Sequence, residues 1–384
     1  MKNLLKEIRD LIRYLRLPLI KKLILVYSEH SGYTINFIPT VKAIISEYNT
    51  EICFVTSQAD DPILLFRNQG ITALYCKKLL PFLFANIDSP VCLMTMPDLG
   101  AYYIKRSVNN VRYIYIFHAL MSTHMIYREK AFDNFDAILC TGGYQIDEIR
   151  RNEELHSLKK KELTEAGYTR LDDIYSEYQN HKGPLNSKKK ILIAPGWSKD
   201  NILDTCGVQI TTSLVAAGFD VILRYHPETV KRRKDLIERY DNAFADNPAV
   251  LIEKSVADNN SLLTADLLIT DWSGVSLEYA FGTERPVLYI NTPRKILNEN
   301  YQKLDIEPFE VSIRGMIGKQ IELNETPDIV PVVQEIMAGA EKLKQTIIEI
   351  RDKNIFNFGK AKYANAKAIF EQLKAAYQAG RKNE

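Results

Sequence analysis

Leu267-Leu268-Ile269-Thr270-Asp271-Trp272-Ser273-Gly274-Val275-Ser276-Leu277-Glu278-Tyr279 passes from an apolar run through a small polar turn into a helical pattern. An apolar run without polar alternation belongs to a parallel strand covered on both faces, here delivering its carboxyl end to a helix N-terminus. The first turn of such a helix has unpaired N–H groups and the positive end of the helix dipole, so it favours an anion. Ser273, Gly274 and Ser276 are small enough to let a phosphate reach those amides. The stretch predicts an α/β chain with a phosphate or pyrophosphate site just beyond Thr270.

The same rhythm extends in both directions. Strand-like apolar runs recur at 22–28, 51–55, 73–76, 91–94, 113–117 and 137–140, with helical patterns between most of them. A polar stretch containing Gln179-Asn180-His181-Lys182-Gly183-Pro184 and Lys188, Lys189 and Lys190 interrupts the series. It then restarts, with strands at 190–194, 220–225, 250–252, 267–270 and 286–290 and helices at 201–217, 231–240 and 260–265. From about Met337 the signal is helical, broken near Asn357-Phe358-Gly359. Alternating helices and wholly apolar strands predict parallel sheets covered on both faces. Three units are expected: a first domain at 1–183, a second at 184–350, and a helix at 351–384 packing on the first domain. Two doubly wound, Rossmann-like domains facing a cleft, with C-terminal helices crossing back, are the pattern of the GT-B fold. Ligands in such sheets bind beyond the carboxyl ends of the strands.

Composition narrows the function. The chain has 384 residues, 46% hydrophobic and 26% charged, as an ordinary globular protein has. A net charge of +2 excludes the strong basic excess of a dedicated nucleic-acid binder. Cys53, Cys76, Cys92, Cys140 and Cys206 are scattered, without the spacing of a zinc site or a disulfide framework, and point to a reducing, cytoplasmic setting. No apolar segment approaches the roughly 20 residues that span a bilayer. Residues 1–22 instead carry seven cations against Glu7 and Asp10, with Leu4, Leu5, Ile8, Leu11, Ile12 and Leu15 at helical spacing. This is a basic amphipathic helix able to lie on an anionic membrane surface. Packing on its own domain is the competing reading.

Two histidines end predicted strands. Arg224-Tyr225-His226-Pro227 closes a strand of the second domain, and the proline ends it so that His226 points from the rim into the cleft. Arg224 alternates with His226 and is expected on the same side. Tyr113-Ile114-Tyr115-Ile116-Phe117-His118-Ala119 repeats the geometry in the first domain. Histidine suits phosphate chemistry because its pKa lies near neutrality. Its competing reading is a purely structural cap. Pro195-Gly196-Trp197-Ser198 follows the first strand of the second domain, where Trp197 packs against a ligand or plugs the seam between domains. Glu29-His30-Ser31-Gly32 follows the first strand of the chain, the expected place for an acceptor-side loop, with Ser31 and Gly32 as its candidate residues.

In order, His118, Gly167-Tyr168-Thr169-Arg170-Leu171-Asp172, Pro195-Gly196-Trp197, Arg224-Tyr225-His226-Pro227 and the Thr270-Asp271-Trp272-Ser273 turn resemble the CDP-glycerol glycerophosphotransferases of teichoic acid synthesis. The resemblance covers about 113–290, with an echo at 354–359. It implies that His118 is the base on the acceptor hydroxyl and that His226 assists the phosphate or the leaving CMP. It also implies that Asp271, Ser273 and Gly274 lie near the donor phosphates, and that 251–260 reaches the nucleotide. The sequence departs from the family at three places: Ala119 replaces a glycine, Gly196 and Ser198 replace a threonine and an arginine, and Gly274 replaces a second serine. The expected reaction moves a glycerol-phosphate or related polyol-phosphate unit from a CDP-linked donor to a surface-glycan or lipid-linked hydroxyl, releasing CMP. No cofactor beyond that donor is called for, and Asp271 is expected to cap the helix or hold a donor hydroxyl rather than a metal. The expected location is cytoplasmic and peripheral at the inner face of the cell membrane. Two alternatives stand beside it: a GT-B glycosyltransferase or UDP-sugar 2-epimerase, and an inactive nucleotide-binding homologue.

Overall fold

The computed structural model describes residues 2–66, 70–181, 188–254 and 258–381. Two all-parallel sheets organise them. The first contains β1 (Ile24–Ser28), β2 (Ile52–Thr56), β3 (Ile71–Tyr75), β4 (Val91–Met94), β5 (Arg112–Ile116), β6 (Ala137–Cys140) and β7 (Glu162–Glu165), in the order β3-β2-β1-β4-β5-β6-β7. The second contains β8 (Lys190–Ile193), β9 (Asp220–Arg224), β10 (Val250–Glu253), β11 (Leu267–Thr270), β12 (Val287–Asn291) and β13 (Gly318–Glu322), in the order β10-β9-β8-β11-β12-β13. In both, the order reverses beside the first strand, which opens a ligand crevice at the carboxyl ends.

Interior strands are apolar on both faces because helices cover both. In β1, Leu25 and Tyr27 enter one core and Ile24 and Val26 the other. In β8, Leu192 faces one core and Ile191 and Ile193 the other. The core around Leu192 also takes in Leu120, Met121 and Leu171, so apolar packing joins the two halves.

The C-terminal helices cross back as expected. The helix Ala340–Asn354 packs on the second half, and the helix Ala361–Arg381 packs on Ile38–Tyr48 of the first. The crossing strap needs glycine on its floor. A Cβ on Gly142 would lie 2.2 Å from the Asn354 carbonyl, and one on Gly167 would lie 2.6 Å from the Ala361 Cβ. Asp172 closes the strap by accepting the amides of Gly359 and Ala361, each at 2.8 Å.

Three expectations of local structure change. The helix at 201–217 shortens to Gly207–Ala216, because the Asn201 side chain accepts the amides of Leu203 and Asp204 and holds the preceding stretch in turns. Pro227 opens a short helix, Pro227–Arg232, before the expected one. The helix Thr169–Asn180, counted with the first domain, packs on Val275–Thr283 of the second. The expected boundary at 183/184 falls outside the described residues, as do parts of the polar linker and of the stretch 251–260.

The N-terminal helix Lys2–Arg16 buries its polar side. Glu7, Asp10 and Tyr14 face inward. Glu7 accepts the amides of Lys77 and Leu79, and Asp10 accepts that of Tyr75, so the carboxylates satisfy N–H groups at and just beyond the end of β3. Leu4, Leu5, Ile8, Ile12 and Leu15 are left exposed, continued by Leu19 and Ile20.

Candidate active site

His118 stands two residues beyond β5, where the strand's carboxyl end meets the cleft. Its Nδ1 lies 2.8 Å from the Thr95 hydroxyl at the end of β4. With Nδ1 donating to Thr95, Nε2 is left with a lone pair. Tyr33 packs 4.8 Å from the His118 ring, and His30 packs 4.4 Å from Tyr33, so an aromatic row runs along the first-domain rim. Burial pushes His118 down to about 4, which leaves it neutral near pH 7.

His226 follows β9 and caps the helix Pro227–Arg232. Its Nδ1 accepts the Glu228 amide at 3.1 Å, which assigns the proton of the neutral ring to Nε2. The structural cap and the functional group are therefore the same residue. The cap fixes the tautomer and aims an N–H donor from the rim. Burial, then the charge of Lys295, and also His118, push His226 down to about 4. The two histidines, one from each half, thus share one electrostatic environment. His30 uses the same device, accepting the Gly32 amide at 3.1 Å. The loop Glu29–His30 faces Glu228 and Lys231, whose charges act on both residues.

Asp271 differs from its expected role. It is 1% exposed, its Oδ1 accepts the Gly196 amide at 2.7 Å, and its Oδ2 accepts the Ile202 amide at 3.2 Å. It neither caps the helix nor reaches the cleft; it ties the end of β11 to the loop after β8. The cap of the helix Val275–Thr283 is Gly274, without a side-chain bond. The Ser276 hydroxyl donates to the Ser273 carbonyl at 2.9 Å, and the Ser276 amide turns to the same carbonyl. The amides from Ser273 to Val275, with the half-buried Ser273 hydroxyl beside them, are the groups this turn leaves open to an anion.

Arg224 is corrected too. Its buried guanidinium donates to the Ser261 hydroxyl at 2.6 Å and the Asp258 carbonyl at 3.0 Å, with Glu253 at 3.8 Å. Those partners engage it within its own half instead of leaving it open beside His226. Pro195 and Gly196 are buried, and a Cβ on Gly196 would come within 3.2 Å of Asp271 Oδ1. Trp197 reaches the cleft, with its ring 6.2 Å from His226, 4.6 Å from Lys295 Nζ and 5.4 Å from the Arg232 guanidinium. Ser31 gives its amide and hydroxyl to Gln58, so the Ser31–Gly32 turn positions His30 and Tyr33. His124 is buried away from these groups, against the Ile306 carbonyl and Glu148.

Two departures from the family pattern meet across the cleft. A Cβ on Gly274 would lie 3.5 Å from that of Ala119. The methyl gained at 119 faces the side chain missing at 274. Nearby, the Tyr168 hydroxyl sits 2.8 Å from the His118 carbonyl and 2.6 Å from Glu278 Oε1, while Arg170 donates to Glu278 Oε2 at 3.0 Å. The Gly-Tyr-x-Arg-x-Asp segment is thus a keystone, joining the His118 loop to the helix after Gly274.

Thr95, Tyr33, Glu278 and Lys295, which the sequence did not single out, contact these groups. The position of Lys295 just past the carboxyl end of β12 was an available signal. Among the described residues, no group of three or more His, Cys, Asp or Glu side chains gathers as a metal centre.

The sequence model of the family described as CDP-glycerol:poly(glycerophosphate) glycerophosphotransferase matches residues 13–300, three quarters of the chain. No curated protein matches by sequence. Among solved structures, the wall teichoic acid polymerase TagF is similar with a TM-score of 0.58 at 15% identity, covering 97% of this chain and 96% of that one. A variant of it soaked with CDPG gives 0.57 at 15% identity, covering 97% and 96%. The S. aureus MnaA–UDP structure gives 0.61 at 12% identity, covering 92% and 96%. At these identities the structures establish the GT-B fold.

Proposed function

This chain belongs to the CDP-glycerol:poly(glycerophosphate) glycerophosphotransferase family, and from that premise we propose how its cleft carries out transfer from CDP-glycerol. The acceptor is a hydroxyl of a surface glycan or of a lipid-linked acceptor. His118 takes the proton of that hydroxyl. Its oxygen then bonds to the phosphorus bearing glycerol, and the bond to the bridging oxygen breaks. CMP leaves with that electron pair.

The observation that carries this reading is that His118 and His226 end strands of opposite halves, near enough for the charge of one to bear on the other, with the Gly274 turn packed against Ala119 beside His118. A neutral His118 can accept a proton, and the fixed Nε2–H of His226 can donate to a phosphate oxygen. Preorganised donors of this kind supply most of the stabilisation in phosphoryl transfer. The entering phosphates raise the proton affinity of both rings, which strengthens His118 as a base only when donor is bound.

The test is CMP release from CDP-glycerol in the presence of a glycan acceptor. His118→Ala and His226→Ala are each expected to lower turnover at least about a hundredfold, far beyond the modest fall in melting temperature that loss of the His226 cap brings. Release of UDP from a UDP-sugar instead of CMP would move the assignment to the glycosyltransferase reading. Normal turnover by both variants would remove the histidines from the mechanism.

The N-terminal helix supports a location at the inner face of the cell membrane. Its exposed Leu/Ile stripe is bordered by the exposed cations Lys2, Arg9, Arg13, Arg16 and Lys21. That pairing of an apolar face with positive charge fits an anionic lipid surface. No helix among the described residues is long and apolar enough to cross a membrane.

A further inference from the structure

We infer that Lys295 is the cation that receives the donor's phosphates, a catalytic residue supplied by the loop after β12. The inference rests on the reading of the cleft as a CDP-glycerol site.

The loop is held in place from below. Trp272, in the turn after β11, donates its indole N–H to the Thr292 carbonyl at 2.7 Å, which fixes the start of the loop beside the anion-binding turn. Three residues later Lys295 turns inward. It is half-buried, and its Nζ lies 4.6 Å from the Trp197 ring centroid, over the aromatic that neighbours His226. Its charge bears on His118 from one half and on His226 from the other. Asp271 and Glu228 favour that charge, yet among the described residues no hydrogen bond or ion pair holds the ammonium.

Four other cations near the cleft are held by hydrogen bonds or ion pairs, whereas among the described residues Arg294, like Lys295, makes only a cation–π contact. Lys231 and Arg232 pair with Glu228. Arg224 is bound by Ser261, Asp258 and Glu253. Arg314 lies buried between Trp272 and Tyr289, bonded to Asn291. Arg294 turns to the Trp272 ring instead of Trp197. A diphosphate entering between two neutral imidazoles therefore meets its compensating charge at Lys295. As the acceptor oxygen bonds to phosphorus and the bridging oxygen leaves on CMP, negative charge accumulates on that bridge. The ammonium stabilises it and keeps its own protons, while His118 takes the acceptor's.

The pH dependence follows from the same placement. Burial pushes Lys295 down to about 8, with Asp271 and Glu228 opposing. Its charge, and the stabilisation it gives, is lost as pH rises through that value in the free enzyme.

The experiment measures CMP release from CDP-glycerol by the wild type, Lys295→Met and Lys295→Arg between about pH 6 and pH 10, with melting temperatures as the check on folding. Lys295→Met is expected to lower kcat/KM by about a hundredfold or more. Lys295→Arg keeps its charge throughout and is expected to retain most activity and to lose the alkaline limb. A Lys295→Met variant within about threefold of wild type, or an alkaline limb unchanged in Lys295→Arg, overturns the inference. If the wild type releases no CMP, the donor assignment itself has failed. Inorganic pyrophosphate binding then decides Lys295 alone: weaker binding by Lys295→Met supports it, and equal affinity overturns it.

Discussion

The Asp271 carboxylate accepts the Gly196 amide at 2.7 Å, and through this bond the ends of β11 and β8 are locked together at the rim of the second domain. The second oxygen takes the Ile202 amide, so one buried side chain sets the path of two loops. Burial raises its pKa, and the bonds from Gly196, Ile202 and the Trp272 backbone oppose the rise. Asp271→Ala strands two buried N–H groups, each costing about 1–3 kcal/mol. The expected loss of stability is thus about 2–6 kcal/mol, read by urea unfolding. Because Trp197 follows the displaced loop, the KM for CDP-glycerol is expected to rise as well. Unfolding like that of the wild type would mean that the loops hold without this tie.

The depressed histidines give an acid limb in an unusual place. An ordinary imidazole titrates near 6.5, whereas burial holds His118 and His226 at about 4. In the proposed mechanism the neutral rings are the working forms, so kcat/KM is expected to stay level through pH 6.5 and to fall only as pH approaches that lower value. Stability moves with the same groups. Between about 4 and about 6.5 the unfolded chain binds more protons than the folded one, so the folded state weakens as pH drops through that window. Melting temperature against pH is expected to fall less steeply in His226→Gln than in the wild type. An acid limb of kcat/KM at the ordinary histidine value would show that the rings are not desolvated.

The legible parts of the chain were those whose environment is uniform along the strand. Interior strands such as Leu267–Thr270 are buried on both faces and read as plain apolar runs. The missed strands, Glu162–Glu165 and Gly318–Glu322, are edges, where one neighbour is absent and polar residues are accepted. His118 and His226 were legible because each ends an apolar run. Arg224 shows where alternation fails. At the last position of β9, its long side chain is captured by Ser261 and Asp258 from around the helix Asn260–Thr264, a partner no local pattern announces. Lys295 was hidden for the converse reason. Its neighbours Trp197, His226 and Asp271 lie far from it in sequence, and only the folded rim gathers them.

The Glu278 carboxylate carries the load between the halves. It is paired with Arg170, approached by Tyr168, and linked through that hydroxyl to the His118 carbonyl. Removing one partner of a buried pair leaves the other charge uncompensated, at a cost of about 3–5 kcal/mol. Glu278→Ala is expected to unfold at correspondingly lower denaturant. Glu278→Gln keeps the shape and is expected to cost less. A fall in kcat in Glu278→Gln, with donor affinity unchanged, would show that the link sets the position of His118 as well as the fold. Denaturant curves of the two variants that coincide with the wild type would remove Glu278 from the interface.

The helix Lys2–Arg16 inverts the usual arrangement, and that inversion is testable. A surface helix ordinarily buries its apolar stripe; this one buries Glu7, Asp10 and Tyr14 and shows Leu5 at 67% exposure, with Ile20 beyond it at 63%. The carboxylates cannot turn outward without freeing the amides of Tyr75, Lys77 and Leu79, so the apolar face is held out by hydrogen bonds made on the other side. Sedimentation with vesicles is expected to capture the protein on anionic lipid and much less on neutral lipid. Each cation near such a surface adds about 1 kcal/mol, and salt is expected to release the protein as the Debye length shortens. A variant carrying Leu5→Asn, Ile8→Asn, Ile12→Asn and Leu15→Asn leaves the buried bonds intact and is expected to keep its melting temperature while losing the vesicles. Equal capture on neutral and anionic lipid would show that charge plays no part, and no capture on either would leave the stripe without a lipid partner.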